Sequence, residues 1–376
     1  MDFGITEDQI MIRDAAREFL AVECPPEFIR KFESDTVGHS PLLWSKLADL
    51  GWLGLLFPDQ YGGEGLTFEH MVVLLEQTGS ALIPGSFFST TVLCGQAIMY
   101  AGTETQKQNI ISGIVQGNLV LALALTEASV SYEPDGVNLA ANLSGDHYVL
   151  NGRKVFVSDV NGANYMLVAV RTTLGVAHEG ISMLLVDCFT PGVKINPLNV
   201  LGLDRQYEVI FDGARIPCDN IVGSVDRGWD IVQKLMAWGA VGKCAESLGG
   251  CQVAMNMTIE YVKARSVFGR SLGSFQSIQH GCADMLRDIE TSRYVTYKAA
   301  HMLSQGKFDA IEVSIAKAWV NEAYKRVVSF AQQCHGGIGF IKEMDLHFYY
   351  KKARLNEALF GDSVFHWRKV AESRFF

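Results

Sequence analysis

The spacing of apolar residues changes twice along this chain, and those two changes constrain the fold more than any single motif. Over residues 6–20, Ile10, Ile12, Ala15, Ala16, Phe19 and Leu20 recur at helical intervals behind a Thr6 cap and early acids, the pattern of an amphipathic helix. Further helical windows at 42–50, 68–80, 89–101 and 105–117 predict an all-helical first third. Near Leu119 the pattern becomes short runs rich in Val, Leu and Tyr separated by Gly, Asn and Asp: LVLALAL, HYVLNGRKVFVSD, NYMLVAVRT, ISMLLVD and YEVIFDGARIP. These predict a small antiparallel barrel or sandwich. From Gly228 helical periods return to the C-terminus, with windows at 229–266, 276–305 and 308–335 long enough for an antiparallel four-helix bundle. The expected fold class is therefore α+β, mostly α, with domains at 1–118, 119–224 and 225–376.

At 376 residues and 48% apolar content, the chain has enough length and core-forming residues for two or three domains. Its 32 basic and 41 acidic side chains give a net charge of -9 with no long block of one sign, which argues against a nucleic-acid partner. Eight cysteines are spread singly, with no C-x-x-C pair and no Cys/His cluster at ligand spacing, so a reducing cytoplasm and no structural metal are expected. The opening MDFGITEDQIMIRDAAREFL is acidic and helical in period, unlike a signal or transit peptide. No apolar run reaches the roughly 18 residues that a membrane span needs, so no stable membrane insertion is expected.

The joints between these regions carry motifs. WSKLADLGWLGLLFPDQYGGEGLTF, ALALTEASVSYEPDG with NGRKVFVSDVNGANYMLVAVR, YVKARSVFGRSLGSFQSIQHGCADM, and CHGGIGF occur in that order over essentially the whole chain. Together they resemble the acyl-CoA dehydrogenases, flavin enzymes of three domains. The resemblance implies FAD as cofactor. It implies that Leu125 and Thr126 bond the pyrimidine edge of the flavin, and that Phe156 and Ser158 lie against its rings and N5. An aromatic wall there excludes water and a hydroxyl polarises the hydride acceptor. Arg265, Phe268 and Gln276 match positions that hold the pyrophosphate and adenosine, usually of the partner subunit's cofactor, and Gln333, Gly336 and Gly337 match a cross-subunit glycine turn. A homo- or heterotetramer is the implied assembly.

The chain also departs from the family pattern. The turn after the Thr-Glu pair reads TEASVSYEPDG, with Tyr132 where a phosphate-binding serine normally sits. Oxidation of a thioester needs a carboxylate to take the α-proton. Most members carry that glutamate before a Gly-Thr near the C-terminus, where this chain has Phe360, followed by Gly361 and Asp362 in place of the flavin-contacting threonine. Isovaleryl-CoA and long-chain dehydrogenases place it on the first long C-terminal helix, at the position matching Gly239. One acid does lie on that helical stripe of Leu235, Gly239, Gly242, Glu246, Gly249 and Val253. Among glycines Glu246 is expected to be desolvated, with its pKa raised towards neutrality. It sits about 10 Å along the helix from Gly239. The alternative is an ion pair with a neighbouring basic side chain. Glu357, nearly one turn before Phe360, is a second candidate base, or else a partner for the KKAR just upstream.

Three functions remain open on these residues. One is dehydrogenation of an acyl-CoA to a 2-enoyl-CoA, with Glu246 as base and electron-transferring flavoprotein as acceptor. A second is a half-site subunit of a heteromeric dehydrogenase, and a third is an FAD-binding relative with other acyl-CoA chemistry.

Overall fold

Residues 4–33, 38–174 and 178–375 are described by the structure, a computed structural model. The N-terminal helices are α1 (Glu7–Glu23), α2 (Pro26–Glu33), α3 (Pro41–Asp49), α4 (Phe68–Ser80), α5 (Gln96–Ala101), α6 (Glu104–Gln106) and α7 (Ser112–Val115), with π-helical stretches at Phe88–Gly95 and Lys107–Ile111. Helix α1 begins as expected: the Gln9 N–H donates to Thr6 Oγ1 at 3.3 Å, and the Thr6 N–H donates to Gln9 Oε1 at 3.1 Å. The short α2 escapes a periodicity search because eight residues hold only two turns, yet it buries Ile29 and Phe32.

The middle strands are β1 (Leu121–Ala124), β2 (Ala140–Ser144), β3 (His147–Ser158), β4 (Tyr165–Arg171), β5 (Ile181–Asp187), β6 (Val193–Pro197), β7 (Gln206–Pro217) and β8 (Ile221–Val222). They form one sheet in the order β6-β7-β3-β2-β4-β5-β8, with β1 beside β4. Most pairings are antiparallel, but β1 runs parallel to β4, and β2 meets β4 in a single parallel pair. A parallel neighbour needs a long crossover, and the chain between Ala124 and Tyr165 provides it.

The C-terminal helices are α8 (Gly228–Ala264), α9 (Gln276–Ser304), α10 (Ala310–His335), α11 (Leu346–Ala358) and α12 (Ser363–Phe375), with a small hairpin of β9 (Ser266–Val267) and β10 (Arg270–Ser271) before α9. Helices α8, α9 and α10 pack on one another, and α11 and α12 close against α10. One continuous apolar core runs from Leu53 and Leu75 through Leu121 and Val168 to Val241 and Val328, so the sheet is wedged between the two helical regions. Helix α4 meets α8 at very short range: a Cβ on Gly79 would fall 2.1 Å from the Glu246 carbonyl oxygen, and one on Gly249 would fall 1.9 Å from that of Glu76. Among the described residues no helix is long and apolar enough to cross a membrane.

Candidate active site

Strand β3 slips its register against β7 between Lys154 and Val157. That bulge puts Phe156 at φ +55° and leaves its ring 43% exposed at the mouth of a cavity, when an unbroken ladder would have buried it or turned it away. Two contacts hold β3 to the segment after β1. The Val155 N–H donates to the Thr126 carbonyl at 2.9 Å, and the buried Lys154 ammonium reaches the Leu125 carbonyl at 3.1 Å and Glu127 at 2.6 Å. Burial pushes Lys154 down to about 8. Leu125, Thr126, Phe156 and Ser158 thus line one cavity. Lys154, within β3, and Glu127, just beyond β1, gather them, and in the sequence they stand out only as charges.

Helix α8 forms the facing wall, and its glycines are used differently from expectation. A Cβ on Gly239 would lie 2.5 Å from the Phe360 ring, and one on Gly242 would lie 2.7 Å from the Phe88 ring. The stripe admits two rings of this chain and the backbone of α4, and the space at Gly239 is taken by Phe360 itself. Both of the usual positions for a catalytic glutamate are therefore filled by one phenyl group.

Glu246 does line the cavity and is only 5% exposed. Its surroundings correct the expectation of an apolar niche. Lys243 Nζ lies 2.8 Å and Lys352 Nζ 3.5 Å from Glu246 Oε2. Lys352 also grips both oxygens of Asp204, at 2.8 and 2.9 Å, and Lys243 sits 3.7 Å from the centre of the Phe88 ring. Burial opposes charge on Lys352, but Asp204 and Glu246 outweigh it and hold the ammonium above its usual value.

A fifth member of this buried group was not foreseen. Asp159 follows Ser158 at φ +54°, is 8% exposed and lines the same cavity. Its N–H donates to the Arg205 carbonyl at 2.8 Å, while its carboxyl oxygen Oδ1 is buried without a hydrogen-bond partner. Burial and the charge of Asp204 push it up to about 7. The signal in the sequence was an acid directly after the Val-Phe-Val-Ser end of a strand.

Other candidates lie elsewhere. Glu357 does not line the cavity; it faces an outer groove, paired with Lys325 and 3.8 Å from Arg354, because α11 turns it to the opposite side from Phe360. Asp362 is exposed on that groove and caps α12, accepting the Phe365 N–H at 2.7 Å. The Tyr132 hydroxyl donates to the Ala358 carbonyl at 2.8 Å, bracing the turn that bears Phe360. Arg265, Phe268, Gln276, Gln333, Gly336 and Gly337 are all exposed at the far end of the bundle. Tyr261 and His335 stack there at 4.3 Å and bring the two groups together. Along α8 that end lies about 28 Å from Glu246.

A groove of about 370 Å³ adjoins the cavity and shares Thr126, Tyr132, Phe156 and Leu359 with it, with Gln206, Lys351 and Arg354 among its other walls. A half-exposed aromatic face with hydroxyls at its edge and cations along the rim fits a flat, polar-edged ring system such as a flavin.

Residues 6–118, 122–214 and 226–374 match, in order, the family models for the acyl-CoA dehydrogenase N-terminal, middle and C-terminal domains. The caffeyl-CoA reductase-Etf complex subunit CarC of Acetobacterium woodii is 29% identical over 356 residues, covering 93% of each chain. A chain of the ChsE4-ChsE5 complex from Mycobacterium tuberculosis has TM-score 0.90 and 26% identity, with 99% of this chain and 98% of that one covered. The probable acyl-CoA dehydrogenase YngJ of Bacillus subtilis is 30% identical over 372 residues, 96% of this chain and 97% of the relative. With all three domains matched in order, the fold shared, and a relative alike from end to end, the chain belongs to the acyl-CoA dehydrogenase family.

Proposed function

We propose that this chain, with domains at 1–118, 119–224 and 225–376, takes part in the FAD-dependent α,β-dehydrogenation of an acyl-CoA thioester. The observation that carries this reading is the cavity itself, where aromatic and hydroxyl side chains (Thr126, Phe156, Ser158) and buried carboxylates line one space. FAD held against Phe156 supplies the acceptor for the hydride leaving the β-carbon. The chain's own residues do the rest. Phe156, Leu125 and Phe360 keep water out, Ser158 offers a hydroxyl at the wall, and Glu246 is the proton acceptor we assign for the α-carbon. Lys243 and Lys352 keep Glu246 oriented. Arg265, Phe268, Gln276, Gln333, Gly336 and Gly337 cluster at the end of the bundle, which along α8 lies about 28 Å from Glu246, so we assign them to the cofactor of a partner subunit. Electron-transferring flavoprotein is the acceptor supported by the name of the CarC relative. Eight free cysteines suit a reducing cytoplasm.

Anaerobic titration of the FAD-loaded protein with acyl-CoAs tests this: the flavin should bleach, and Glu246→Gln should keep its FAD while losing at least a hundredfold in the rate of bleaching. A native rate in that variant removes Glu246 from the role.

The second reading, a half-site subunit, is favoured by the Phe360 ring seated on Gly239, which excludes a carboxylate from both usual positions. The structural neighbour from the ChsE4-ChsE5 complex, an assembly of two different chains by its name, supports this reading. Bleaching that appears only when a second dehydrogenase chain is co-purified selects this reading.

A further inference from the structure

We propose that the floor of the cavity recognises a hydrogen-bond-donating group, a hydroxyl or an ammonium, at the end of the acyl chain remote from the thioester, with Asp159 as its acceptor. This rests on the acyl-CoA reading above and names the substrate class for that site.

Depth comes from burial. Phe156 is the exposed rim, whereas Lys243, Glu246, Lys352 and Asp159 are each almost wholly enclosed. A short acyl chain whose α-carbon rests at Glu246 has its far end within this same enclosed group, which shares the cavity with the Phe87, Phe88 and Phe360 side chains. Such a floor is costly beside methylene groups, because charges buried against hydrocarbon lose solvation and gain nothing. It is also unbalanced. The two lysines are engaged by Glu246 and Asp204, which leaves Asp159 as the one carboxyl of the three with a buried oxygen and no partner. An orphaned acceptor of this kind marks the place of a missing donor. The raised affinity of Asp159 for protons reports the same deficit: a proton takes the place that a donor on a ligand would fill. A hydroxyl or ammonium satisfies the orphan oxygen and relieves the excess of acid, whereas a terminal carboxylate adds a fourth anion to the floor.

The test uses FAD-loaded protein and acyl-CoAs of equal chain length that end in methyl, hydroxyl, amino or carboxyl groups. Binding is read from the perturbation of the flavin spectrum and, separately, from calorimetry. The hydroxyl or amino member should bind roughly tenfold more tightly than the methyl member, and whichever of the two wins identifies the donor. Asp159→Asn should bring that preference close to unity. Equal or tighter binding of the methyl or carboxyl members to the unaltered protein overturns the proposal, whatever the fate of the variant. Absence of binding by every acyl-CoA overturns the acyl-CoA reading itself and this proposal with it.

Discussion

At Phe360 the backbone stands at φ +59°, a conformation that costs an L-residue about 1–2 kcal/mol, and the ring above it fills the hollow over Gly239. These two effects oppose each other under substitution. Phe360→Ala keeps the backbone strain and loses the ring, and should cost about 3–5 kcal/mol. Phe360→Gly loses the same ring but relieves the strain, so it should be more stable than Phe360→Ala by about 1 kcal/mol, the reverse of the usual order. Urea unfolding of the two variants settles this, and an alanine variant more stable than the glycine one refutes it. Gly239→Ala should destabilise by overpacking, roughly 1–3 kcal/mol, because its methyl meets the ring. The absence of a glutamate at 360 and 239 could be read directly from the sequence. That one ring accounts for both absences could not, since it depends on the angle at which the turn after α11 returns to α8. Lys243 lies one helical turn from Glu246 and was within reach of sequence reasoning, but Lys352 and Asp204 arrive from a distant helix and loop.

The segment joining α11 to α12 is held as a unit by its polar contacts. Tyr132 donates to the Ala358 carbonyl, and His366 lies with Nε2 2.9 Å from the Phe360 carbonyl and Nδ1 3.1 Å from Ser314 Oγ. Burial, aided by Lys317, pushes His366 down to about 4. In the unfolded chain it titrates near 6.5, so between about pH 6.5 and 4 only the unfolded state takes up the proton, and this histidine's contribution to stability fades as pH falls through that window. The unfolding midpoint of wild type relative to His366→Gln should therefore drop on going from about pH 7 to pH 4; parallel profiles would refute this. Elements differed in how openly the sequence declared them. Helix α4 spans the predicted residues 68–80 because Thr67 caps it and its apolar face is continuous. Strands β2 and β6 passed unnoticed because AANLS and VKINP are half polar and lean on longer neighbours for their pairing.

For the molecule as a whole, the order of helical, sheet and helical regions followed from the period of the apolar residues, while the parallel seat of β1 beside β4 needed the three-dimensional path of the crossover. Surface character agrees with the proposed assignment of the two exposed groups at the end of the bundle to a partner subunit. Phe268 is 92% exposed at the tip of the β9–β10 hairpin, and Phe340 is 69% exposed just beyond the glycine turn. Large apolar side chains left this exposed are suited to contact with another chain. Phe268→Asp should shift the assembly to smaller species in size-exclusion chromatography with light scattering, with helical content unchanged by circular dichroism. Arg265→Ala should lower the ratio of bound FAD to protein. An unaltered assembly in the first case, or full cofactor loading in the second, counts against the partner assignment.

The interlock of α4 with α8 has a kinetic consequence. With glycine in each helix admitting the other's main chain, neither can slide or tilt without collision, so the back of the pocket behaves as a fixed plate. Ligand entry and exit then depend on motion at the Phe156 rim and at the turn that bears Phe360, not on parting the two helices.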